Sequence, residues 1–81
     1  MKYYRADFRN VAIEEVDVDT ATSQHVYING TPIAREQVGY IYFPTRSEAK
    51  ESLESYYEGL RQGLEIRLNF AKQKIDQAKA L

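Results

Sequence analysis

The spacing of apolar and polar residues changes character at Pro44. Before it the pattern is short and alternating. Over Lys2–Phe8, Tyr4, Ala6 and Phe8 fall on one side and Tyr3, Arg5 and Asp7 on the other, which predicts a strand. A short helical turn is the competing form, because Ala, Arg and Lys do not oppose one. Val11–Val18 also alternates, but Val11 and Ile13 are out of phase with Val16 and Val18. A β-bulge at Glu14-Glu15 would return all four to the core face and aim a carboxylate outward; a strand that changes partners there is the alternative. Asp19–Gln24 lacks a large apolar residue and reads as a polar loop. His25–Asn29 reads as a short strand, with Val26 and Ile28 on one face and His25 and Tyr27 on the other. Asn29-Gly30 then predicts a type I′ hairpin turn, since both residues tolerate positive φ. The return strand, Thr31–Glu36, contains Pro32, which confines it to an edge or to a start just after the proline. Val38–Phe43 carries Tyr40, Ile41, Tyr42 and Phe43, four large side chains in a row. Such a strand is covered on both faces, or by the helix on one face and a partner on the other.

After Pro44 the period becomes three to four. Ala49, Leu53, Tyr56, Leu60, Leu64, Leu68, Ala71, Ile75 and Ala78 form one helical stripe over Arg46–Leu81. Thr45 and Glu48 fit a capping box at its start. Gly59 and Gly63 lie four apart and either admit a neighbouring backbone or allow a bend; each costs about 1 kcal/mol against alanine. Ile66 and Phe70 add a second apolar strip off the main stripe. An unbroken helix over 46–80 would be roughly 52 Å long at ~1.5 Å per residue, whereas strands of five or six residues span about 17–20 Å. A sheet therefore covers only the first half of the stripe. Either the helix folds back at the glycine pair, or Leu64, Leu68, Ala71 and Ile75 hold a homodimer. No proline or turn cluster marks a break, which favours the dimer. The expected fold is α+β: a three- to four-stranded antiparallel sheet packed on a long C-terminal amphipathic helix. It forms a single domain over residues 1–81, with the sheet region at 1–44 and the helix at 45–81.

Length sharpens this picture. An 81-residue chain buries only about 60% of its unfolded surface. It has no cysteine with which to staple itself, so oligomerisation is the expected remedy. The formal net charge of −1 directs the molecule toward neither nucleic acid nor an anionic membrane. No apolar run approaches the ~20 residues of a membrane span, and Met1–Arg5 is not followed by a signal core. A cytoplasmic protein is the expectation. Glu48, Glu51, Glu54 and Glu58 precede Arg67, Lys72, Lys74 and Lys79 along the helix, an order that complements its dipole.

Candidate chemistry is sparse. The one histidine, His25, has no oriented partner in its own stretch for general-base work and no carboxylates at ligand spacing for a metal. No catalytic residue, metal or cofactor is expected, and an enzyme would need its active site completed by another chain. Glu14, Glu15, Asp17 and Asp19 read either as the solvated side of a half-buried strand or as a negative ridge that docks on a basic surface. With His25 and Tyr27 beside them on the sheet, they are the candidate partner-binding set. Lys72 and Lys79 lie near one another around the helix while Arg67 and Lys74 flank other sides, so the basic residues do not form one stripe for nucleic acid. The rival readings are a nucleotide held between copies by tyrosines and by Arg35 and Arg9, and nucleic acid bound through the basic end of the helix.

The acidic strand, Val26-Tyr27-Ile28-Asn29-Gly30, Ala34-Arg35, and Tyr42-Phe43-Pro44-Thr45 leading into Glu48-Ala49-Lys50 and the long helix follow one another in a set order. In outline, over residues 11–81, this order resembles small uncharacterised proteins carried by phages and prophages. The resemblance implies an accessory gene product that works in the host cytoplasm. Many such proteins bind and sterically block a host factor, including defence nucleases, as anti-CRISPR proteins do. A non-enzymatic, protein-binding inhibitor is the functional expectation.

Overall fold

A computed structural model describes all 81 residues. Seven strands precede one helix: β1 (Lys2–Asp7), β2 (Ala12–Asp17), β3 (Thr20–Ala21), β4 (His25–Ile28), β5 (Thr31–Ala34), β6 (Glu36–Gln37), β7 (Tyr40–Phe43) and α1 (Arg46–Lys79). They form an α+β fold with two antiparallel sheets rather than one. The larger sheet has the order β2-β1-β7-β6, and the smaller β3-β4-β5.

The two sheets explain the apolar pattern that a single half-buried sheet does not. The large sheet lies in the middle of three layers. On one face Ala6 packs with Ala49 and Leu53 of α1, and Tyr4, Phe8, Ile13, Phe43 and Tyr57 close around them. On the other face Tyr42 packs with Val18 and with Val26 of the small sheet, joined by Tyr3, Val16, Ile28 and Ile33. Alternate residues of β1, β2 and β7 therefore serve two cores. This accounts for the four large residues of β7, covered by the helix and by the small sheet.

It also corrects the bulge expected at Glu14-Glu15. The β1–β2 register runs without interruption from Lys2↔Asp17 to Asp7↔Ala12. Ile13 faces the helix and Val16 the small sheet, so the change of phase is a change of core and not of backbone. β1 ends in a four-residue turn, 8–11, held by the Asp7 carboxylate. It accepts the backbone N–H groups of Arg9 (2.9 Å) and Asn10 (3.0 Å) and the Asn10 side-chain amide (2.9 Å).

The hairpin at Asn29-Gly30 has the positive φ values of a type I′ turn, 51° and 76°, and β5 with Pro32 lies at a sheet edge. One short strand, β3, falls inside the stretch read as polar loop, and the expected return strand Thr31–Glu36 is divided: β5 ends at Ala34 in the small sheet, and Glu36 opens β6 of the large sheet, which turns into β7 through Gly39. Gly39 has φ +90°, and a Cβ there would meet Arg9 Nε at 2.8 Å.

The helix begins as the sequence indicates. The Glu48 N–H donates to Thr45 Oγ1 at 3.2 Å, which is one half of a capping box. It then runs unbroken through Gly59 and Gly63 to Lys79, so no helical hairpin forms. Its buried stripe contains Tyr57 rather than Tyr56: the Tyr57 hydroxyl donates to the Phe8 carbonyl, while Tyr56 lies to the side, edge-on to Phe8. Beyond Tyr57 the helix leaves the sheets. The molecule measures 67 × 20 × 20 Å with a radius of gyration of 19.3 Å, against about 12 Å for a compact chain of this length.

Candidate functional site

The projecting part of the helix, residues 58–81, forms a stem. Every residue in it except the half-buried Gly63 is exposed. The stripe that seats Ala49, Leu53 and Tyr57 on the sheet continues along the same face with nothing against it. Leu64 is 63% exposed, Leu68 55% and Ile75 53%; Ala71 is exposed between them. The four residues expected to dimerise thus lie together on one open face. Ile66 and Phe70, also exposed, turn away from it, and the Lys74 ammonium lies 5.3 Å from the Phe70 ring.

The flanks of the stripe are charged in an ordered way that the expectations above passed over. Glu58, Glu65, Lys72 and Lys79 recur every seven residues, which keeps them on one flank of a 3–4 stripe. Leu60, Arg67, Lys74 and Leu81 recur in the same way on the other. Counts by sevens from Glu58 and from Leu60 would have found the two rows. Arg61 pairs with Glu58 and lies 4.0 Å from Glu65 along the free helix.

The acidic run does not form one ridge. Glu14 points to the small-sheet side of β2 and pairs with Arg5. Glu15 and Asp17 point to the helix side, at 3.8 and 2.6 Å from Lys2 Nζ. Asp19 lies beyond the strand, and its carboxylate accepts the Gly30 N–H at 2.9 Å, bracing the hairpin turn. The reason is the alternation of a regular strand, which splits neighbouring carboxylates between two faces. The Lys2 ammonium, by its hydrogen bond and its charge, holds the Asp17 carboxyl below the usual carboxylate range, and Lys2 is raised in turn. The Asn10 side chain and backbone lower Asp7 in the same way.

His25 and Tyr27 lie on the outer face of the small sheet, opposite the buried Val26, and are half-buried there. Asp19 joins them through the backbone, where its N–H donates to the Tyr27 carbonyl at 2.7 Å. Glu14, Glu15 and Asp17 belong to the far edge of the large sheet. The six candidate residues therefore divide into an Asp19–His25–Tyr27 group and a β2 group.

Arg35, offered above as a ligand contact, has a structural post. Its guanidinium donates to the carbonyls of Thr22 (3.1 Å) and Tyr42 (3.5 Å) and lies 5.4 Å from the Tyr3 ring, tying the small sheet to the large one. Arg5 lies in the same layer, 4.8 Å from the Tyr40 ring. Arg9 lines a shallow depression of about 360 Å³ with Phe8, Val38, Ile41 and Tyr56. No group of three or more His, Cys, Asp or Glu side chains is placed to hold a metal ion, and no helix is long and apolar enough to cross a membrane.

The chain matches no protein-family model, no curated protein and no solved structure.

Proposed function

We propose that the protein is a non-enzymatic protein–protein interaction module. Its stem makes a homodimer, and its two-sheet head meets a macromolecular partner. The observation that carries this reading is the open apolar stripe of the stem. The accessible surface is 6169 Å², where a compact monomer of 9.4 kDa exposes about 5,000 Å². The excess, roughly 1,200 Å², exceeds the ~800 Å² that each partner contributes to a standard interface. An apolar strip this long and regular marks a binding surface.

The more specific form of the proposal is a phage-type inhibitor that sterically blocks a host defence protein. It draws on the resemblance in outline to phage accessory proteins and on a head whose outer face, at Asp19, His25 and Tyr27, is open to a partner. Phage plating on bacteria that carry a defence nuclease, with and without this protein expressed, tests it. Restored plating that is lost on Tyr27→Ala supports the inhibitor. Unchanged plating across nuclease types overturns the inhibitor and leaves the self-association to be judged separately.

A further inference from the structure

We infer that the stem pairs with the stem of a second copy in the antiparallel direction, in the register where facing residue numbers sum to 139. This rests on the self-association proposed above and adds its direction and its consequence. In that register Leu64 meets Ile75 of the second copy and Leu68 meets its Ala71. By symmetry this gives four apolar layers. Arg61 meets Ala78 of the second copy, whose small side chain leaves the guanidinium room to reach water.

The flanks choose the direction. When two helices pair antiparallel, each flank faces its own counterpart. Glu65 then lies opposite Lys72 of the second copy and Glu58 opposite its Lys79, giving four contacts of opposite charge in the dimer. On the other flank Leu60 faces Leu81, and Arg67 faces Lys74, which makes two like-charge contacts. In a parallel pair each flank faces the other kind. Arg67 then lies opposite Lys72 and Lys74 opposite Lys79, giving four like-charge contacts and none of opposite sign. Neither arrangement changes the apolar stripe, so the charges decide.

Length gives independent support. Residue 79, the last of the helix, falls level with Leu60 of the second copy, one turn short of the Tyr57 that seats that copy's head. The register set by the charges thus overlaps the two stems along their whole length and runs neither into the other's head. The consequence is a molecule with its heads at opposite ends, about 50 Å apart along the stems at ~1.5 Å per residue. Both heads present the same outer sheet face, so the dimer is a bivalent spacer that can engage two copies of a target or two sites on one.

Charge reversal tests the direction. Lys72→Glu/Lys79→Glu makes one flank wholly acidic, and Glu58→Lys/Glu65→Lys makes it wholly basic. All four positions are exposed and helical, so circular dichroism confirms that the fold is retained. Sedimentation at low salt is expected to show each double variant dissociating at least about tenfold more readily than the wild type, and an equimolar mixture restoring a tight heterodimer. Tighter self-association of Lys72→Glu/Lys79→Glu overturns the inference, because only in a parallel pair do the new glutamates meet Arg67 and Lys74. Unchanged dimers in both variants overturn the register. A second readout needs no substitution: the wild-type dimer is expected to weaken as salt rises, whereas a parallel dimer would tighten. A wild type that is monomeric at every concentration removes the self-association itself, an outcome distinct from a dimer of the wrong direction.

Discussion

One helix builds both halves of this molecule, and the halves differ in what they have to pack against. From Ala49 to Tyr57 the apolar stripe lies on the large sheet, and Ala49 and Leu53 are buried. From Leu64 to Ala78 the same stripe, with Leu64, Leu68 and Ile75 between its alanines, is in water. Helical order in the head comes from tertiary contact. In the stem it has only local propensity, a few i,i+3 and i,i+4 ion pairs such as Arg61–Glu58, and whatever the apolar face binds. The head itself is thin: only six side chains are buried, and Val26 is the largest that is fully enclosed. Pairing with a second copy would cover the spare apolar surface of the stem and leave each head with the packing it already has.

The comparison can be broken at either end. The largest effect is expected in the stem. Leu68→Asp places two carboxylates in the middle layers of a dimer and should weaken self-association by on the order of a thousandfold or more. Light scattering should give a monomer at micromolar concentration, and a mutant that remains dimeric there contradicts the account. In the head, Leu53→Ala opens a cavity between α1 and the large sheet and should cost about 2–5 kcal/mol, read as a lower denaturation midpoint. Made in the Leu68→Asp background, it separates head stability from dimer stability. At the junction, Thr45→Ala removes the acceptor of the Glu48 N–H and should cost about 1 kcal/mol.

The smallest effect sharpens the comparison by pH. Asp7 and Asp17 are held below their ordinary values in the folded head. Their contribution is therefore complete above the unfolded carboxylate pKa of about 3.9 and is lost as pH falls through the depressed folded values. Lys2 is raised, so its contribution is complete below about 10.4 and is lost as pH rises through the folded value. Thermal melts of the Leu68→Asp monomer should show the head weakening below about pH 4. Replacing Asp17 with Asn should flatten that fall.

The features legible in the sequence are those set by nearby residues. The 3–4 spacing after Pro44, the Thr45 cap and the Asn29-Gly30 turn each depend on contacts within a few positions, and each appears in the structure. The division into two sheets was not legible, because it depends on a distant pairing. β3, β4 and β5 join their neighbours in sequence, but β7 leaves them to pair with β1 at the start of the chain, where the Phe8 N–H donates to the Gly39 carbonyl; nothing local announces that. The phase change in β2 suggested a bulge because a strand covered on both faces leaves the same trace as one that slips. Strands β3 and β6 carry almost no apolar residues and owe their form to the neighbours they pair with. The acidic run was visible as composition, but its split between two faces followed from the regular register of β1 with β2. Arg35 was visible as a cation, whereas its post between the sheets depends on where Tyr3 and Tyr42 come to lie.

The central claim is that the stem is spent on a second copy of the chain. Light scattering on a sizing column across a dilution series tests it most directly. The account predicts a mass of twice 9.4 kDa that persists into the micromolar range and gives way to monomer only on further dilution. A mass of 9.4 kDa at every concentration, with the helix intact by circular dichroism, would contradict it.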